Sequence, residues 1–96
     1  MYIVNDNNFK INNKDVEINT ERSNIFIPVD TIDHVFHTRG SEDSRNPKPD
    51  LIELYTHSHD LIYTLRVQGE VRAIRIYLEL VKEVRNNRKE GEYINE

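Results

Sequence analysis

The hydrophobic pattern of this chain changes period once, and that change limits the folds open to it. Up to Val67 the apolar residues alternate in short runs, as β-strands require, and from Glu70 to about Arg88 they recur at helical spacing. The helical segment carries two apolar stripes, Val71, Ile74, Leu78 and Val81 on one and Ala73, Ile76, Tyr77, Leu80 and Val84 on the other. Its polar residues Arg72, Arg75, Glu79, Lys82, Glu83 and Asn86 gather within about 100° of arc, which leaves an apolar sector roughly twice as wide as a one-sided helix needs. One sheet cannot cover such a helix. Ile74, Ile76, Leu78 and Leu80 also alternate as a strand would. The length of the segment, its Leu, Glu, Arg and Lys content and the lack of a turn signal favour helix.

Two hairpins are legible upstream. With a turn at Asn13-Lys14, Ile11 faces Val16 and Phe9 faces Ile18 on one side, while Lys10 faces Glu17 on the other. Tyr2 to Val4 offers a short edge strand. A strand ending at Ile27, a bend over Pro28 to Thr31 and a second strand from about Ile32 to Thr38 follow, because Pro28 cannot donate to a ladder. The segment 38–50 contains no aliphatic or aromatic residue and holds Gly40, Pro47 and Pro49, the signature of a flexible or functional loop. A turn at Ser58-His59 then pairs Ile52 with Leu65, Leu54 with Tyr63 and Thr56 with Leu61 on a core face. Glu53/Thr64, Tyr55/Ile62 and His57/Asp60 lie on the other. Tyr55, Ile62 and Leu51 would sit half uncovered there.

Size and composition confine the chain to one module. In 96 residues Ile, Leu, Val and Phe number 28, enough for a small core and too many for disorder. The absence of cysteine removes disulfides, Cys-ligated zinc and thiol catalysis. No basic leader opens the chain and no run approaches the roughly 18 apolar residues of a membrane span, so the expected location is cytoplasmic and the expected partners exclude membrane. Asn and Ile each occur 11 times and Ala once, the bias of an AT-rich genome. A net charge of −4 argues against general nucleic-acid binding, yet residues 66–89 carry seven basic and three acidic side chains.

Few residue patterns point to catalysis. His34 and His37 project to opposite faces of a strand and cannot share a metal unless it bends. His57-Ser58-His59-Asp60 matches only part of the HxHxDH metal motif and reads more simply as a polar turn with a His57 and Asp60 cross-strand pair. Ser58 sits in no nucleophile elbow, and no phosphate-binding glycine loop occurs. No metal ligands, cofactor or catalytic residues are assigned, and the expectation is a protein that is not an enzyme. Arg66, Arg72 and Arg75, at the end of a strand and the start of the helix, form the candidate anion site, since guanidinium forks bind oxyanions bidentately. The plainer reading pairs Arg75 with Glu79 on a solvated face. Arg72 and Arg75 lie near the helix N-terminus, where the macrodipole disfavours cations, so helix stability does not explain them.

Strands first and one closing amphipathic helix last, the chain resembles small pleckstrin-homology-like (PH-like) proteins of bacteria and their phages. The resemblance lies in Phe26-Ile27-Pro28-Val29-Asp30-Thr31-Ile32-Asp33-His34-Val35 and in the junction Leu65-Arg66-Val67-Gln68-Gly69-Glu70-Val71-Arg72-Ala73-Ile74. It covers most of residues 9–86 and carries over no functional residue. The implied class is α+β: an antiparallel sheet or partly open PH-like barrel of about five to seven short strands closed by one C-terminal helix. The domain spans 1–88, and 89–96 form a polar tail. The resemblance implies binding of peptides, lipids or partner subunits.

The expected function is therefore a self-associating interaction module, an accessory protein of a phage or mobile element that inhibits by binding. Tyr55, Ile62, Ile76, Leu80 and Val84 are the interface candidates, and a homo-oligomer or a protein partner covers them. The alternative is a protein that sequesters an anionic, nucleotide-like small molecule through Arg66, Arg72 and Arg75. A histidine metalloenzyme ranks below both.

Overall fold

A computed structural model describes residues 3–4, 9–19, 23–41 and 45–94. Strands β1 (Ile3–Val4), β2 (Phe9–Ile11), β3 (Asp15–Asn19) and β4 (Asn24–Pro28) lead through a 3-10 turn, Val29–Thr31, into β5 (His34–Thr38), β6 (Asp50–Tyr55) and β7 (Leu61–Val67). Helix α1 (Glu70–Ile94) closes the chain. The class is α+β, and α1 extends past Arg88 into the segment read as a tail. Of the expected first edge strand, Ile3 and Val4 pair in parallel with Arg66 and Val67 of β7, and Tyr2 lies outside the described residues.

The strands form two sheets, one ordered β1-β7-β6-β5 and the other β2-β3-β4. Strand pairing among the described residues does not link the two sheets, so they do not close into a barrel. The first hairpin has the register that its side chains dictate, with Phe9 opposite Ile18, Lys10 opposite Glu17 and Ile11 opposite Val16. The side chain of Asn12 accepts the N–H groups of Lys14 and Asp15, both at 2.8 Å, and so holds the turn in place. Pro28 ends β4 as its missing N–H requires, and the hydroxyl of Thr31 donates to its carbonyl at 2.7 Å across the bend.

The second hairpin corrects the expected pairing. Ile52/Leu65, Glu53/Thr64 and Leu54/Tyr63 stand as read, but the loop holds three residues, His57-Ser58-His59, closed by the Thr56 N–H on the Asp60 carbonyl at 2.9 Å. His59 takes a φ of 66°, the left-handed residue that such a loop needs. The extra loop residue is absorbed by a bulge, and Tyr55 now faces Leu61. The expected pairs Thr56/Leu61, Tyr55/Ile62 and His57/Asp60 are thereby displaced.

One core joins both sheets and the helix. Val16, Ile18 and Ile27 come from the smaller sheet, Val35, Ile52, Leu54, Leu65 and Val67 from the larger, and Ala73, Ile76, Leu80 and Val84 from α1. The helix lies against β5, the 3-10 turn, β6 and β7. Ala73 is fully buried where α1 begins, and its small side chain permits close approach there.

Candidate functional site

The burial of α1 settles which stripe meets the core. Ile76, Leu80 and Val84, expected at an interface, are 2%, 0% and 7% exposed and belong to the core of the chain itself. The bare residues are those of the other stripe, Val71 at 85%, Leu78 at 58% and Ile74 at 36%, while Val81 at its end is half-buried and packs partly against the core. The difference from the expected placement has a physical source. Periodicity shows that two stripes exist, but only the sheet position decides which one it covers. Ala73 carries a signal in the sequence, because the smallest non-glycine side chain of the helix marks its closest approach to the sheet.

The outer face of the larger sheet carries a second apolar surface, changed by the bulge. Ile62, expected outside beside Tyr55, packs against the core, and Leu61 takes the outer place at 51% exposure. Tyr55 stacks on the His34 ring, with centroids 5.0 Å apart and planes within 5°, and meets Phe36 edge-on at 5.4 Å. Its hydroxyl donates to Glu53 at 3.1 Å, and that bond raises the Tyr55 pKa above its ordinary value.

Three histidines gather at one corner of this sheet around Asp33. His34 and His57 each direct Nδ1 at its carboxylate, at 2.9 and 2.7 Å, and Arg88 from α1 reaches the carbonyl and carboxylate of Asp33 at 2.6 and 3.2 Å. An ionised carboxylate can only accept, so both Nδ1 atoms carry hydrogen. The hydrogen bonds from His34 and His57 lower the Asp33 pKa, aided by the charges of His57 and Arg88. His59 adds a ring contact with His34 at 5.2 Å. Among the described residues no group of three or more His, Cys, Asp or Glu is placed to hold a metal ion. His57 thus pairs with Asp33 and not with Asp60, a long-range partner that local spacing could not reveal.

His37 projects to the other face, as strand alternation requires. Its Nε2 lies 2.7 Å from the buried carboxylate of Asp50, which also accepts the Gly40 N–H at 2.9 Å. This pins the base of the 38–50 segment, and a two-way backbone bridge between Ser41 and Lys48, at 3.0 and 2.9 Å, holds it further. Residues 42–44 of that segment lie outside the described residues.

The arginine triad is divided between sites. Arg66 points from β7 into a pocket of about 390 Å3 with Thr38, Arg39, Lys48, Pro49 and Leu51, whereas Arg75 borders a different pocket with Phe9, Ile76 and Glu79. Arg72 reaches back to the Gln68 carbonyl at 3.3 Å. The Arg66 Nε is buried with no acceptor, a state that costs about 1–3 kcal/mol for a desolvated donor. Sequence spacing missed Arg39 and Lys48, which the Ser41 and Lys48 bridge brings to Arg66. Among the described residues no helix is long and apolar enough to cross a membrane. Comparison with protein-family models, curated proteins and solved structures gives no match.

Proposed function

We propose that this protein is a non-enzymatic interaction module, a partly open PH-like sheet and helix assembly that works as a homo-oligomer. The observation that carries the reading is the exposed stripe Val71, Ile74 and Leu78, continuous with half-buried Val81, on a helix whose other stripe already fills the core. A small monomer rarely leaves so contiguous an apolar surface bare. The spacing also favours a second copy of the chain. Residues 71, 74, 78 and 81 follow the three-then-four rhythm of a helix-pairing seam. Two copies set antiparallel about a two-fold axis place Val71 opposite Val81 and Ile74 opposite Leu78, so the surface is its own complement.

In this reading the Phe36, Tyr55 and Leu61 surface is left for a further protein partner, and the module acts by occupying that partner, as an inhibitory accessory protein would. Light scattering at micromolar concentration tests the self-association. A species at twice the 11.4 kDa chain mass is expected, and a monomer throughout would overturn the reading. The alternative of an anionic ligand rests on a separate surface, the pocket at Arg66.

A further inference from the structure

We infer that the pocket that residues 38–41, 48–49 and 51 form with Arg66 on the outer face of β7 binds a small-molecule oxyanion, a phosphate or a carboxylate, with Arg66 as its anchor. Three cations, Arg39, Lys48 and Arg66, line it, and none of its described lining residues is acidic. Arg66 is fixed on a paired strand, opposite Leu51 of β6, and is half-buried, with its Nε lacking a hydrogen-bond acceptor. An oxyanion in the pocket would give this guanidinium the acceptors it lacks, since its planar fork grips a carboxylate or phosphate through two parallel hydrogen bonds. Thr38 adds a hydroxyl, and Pro49 and Leu51 add an apolar wall for the body of the ligand.

The adjoining pocket does not compete for this role. It shares Ser41, Lys48 and Pro49 but is also lined by Asp50 and Glu70, whose carboxylates repel an anion. Glu70 instead draws Arg39 at 3.2 Å, an exposed pair weak enough to yield the guanidinium to a ligand. The site differs from the triad suggested by sequence, since it keeps Arg66 and replaces Arg72 and Arg75 with Arg39 and Lys48.

Side-chain NMR of the intact protein tests the inference, with inorganic phosphate and benzoate as separate probes and chloride at matched ionic strength as the control. The Arg66 Nε–H signal should move saturably with phosphate or benzoate, with a dissociation constant of roughly 1 mM or tighter. Whichever probe binds more tightly identifies the oxyanion. Arg66→Gln, followed through the backbone amides of Gly40 and Lys48, should weaken binding at least about tenfold, and Lys48→Gln should weaken it less. Arg75→Gln should bind as the unaltered chain does. Leu78→Glu should also bind normally, which separates this site from the self-association. A linear drift equal to that in chloride overturns the inference, as does unchanged affinity in both Arg66→Gln and Lys48→Gln. If Arg66→Gln does not fold, the Lys48→Gln titration decides.

Discussion

Asp33 holds the ring of His57 at 2.7 Å although 24 residues separate them, and so ties the entrance of β5 to the β6–β7 loop. Arg88, 55 residues beyond Asp33, fastens α1 to the same point. Three elements distant in sequence thus meet at one carboxylate. Its removal should loosen the corner, where Asp33 itself is only half-buried, more than the core.

Acid should act through this carboxylate. Its folded pKa lies below the ordinary 3.8, so its contribution to stability is complete above that value and is lost as pH falls through the lowered folded pKa. Urea midpoints measured from about pH 5 downward should fall less steeply for Asp33→Asn than for the unaltered chain. Parallel curves would show that Asp33 is not a source of the acid sensitivity.

The two stripes of α1 should respond in opposite ways to substitution. Leu80→Ala opens a cavity at a fully buried position and should cost about 2–5 kcal/mol of unfolding free energy. Leu78→Glu, at 58% exposure, should leave the folded monomer intact by circular dichroism while abolishing the larger species in light scattering. A larger species that persists in Leu78→Glu would mean that the exposed stripe is not an interface.

Glycine substitutions separate crowding from backbone strain. A Cβ at Gly40 would collide with the carbonyl oxygen of Lys48 and with the backbone of Pro49, so Gly40→Ala must displace the bridge between Ser41 and Lys48. It should therefore lower Tm and expose the Ser41 and Lys48 amides to hydrogen exchange. Gly69 has open space around it but a φ of +98°, so Gly69→Ala should cost only about 1 kcal/mol, through strain.

The part-buried pair of His37 and Asp50 should matter for the same segment. Asp50→Ala removes the acceptor of both His37 and the Gly40 N–H. A loss of about 1 kcal/mol is expected for each part-buried donor left unpaired. Calorimetry should show this as a lowered Tm, larger than for alanine at exposed Asp60.

Short-range pattern was enough for much of the fold, because neighbouring residues carry that information in their own alternation. Phe9 to Ile18 specifies its register twice, through apolar pairs on one face and through Lys10 and Glu17 on the other, and Pro28 marks the end of its strand by lacking a donor. The length of the His57 loop was not legible. Two and three residues both fit the polar string, and only a left-handed His59 together with a bulge at Tyr55 reconciles the loop with the fixed Leu54/Tyr63 pair.

The sequence by itself determined the elements, the first hairpin's register and the fact that α1 carries more apolar surface than one sheet can hide. Tertiary structure alone decided that Ala73, Ile76, Leu80 and Val84 go inward while Val71, Ile74 and Leu78 stay bare. It also divided Arg66 from Arg72 and Arg75, and gathered Asp33, His57 and Arg88. The physical reason is common to all three. Periodicity fixes angles around a single element, whereas partnership depends on how the sheets and helix are placed against one another, and no local run of residues encodes that placement.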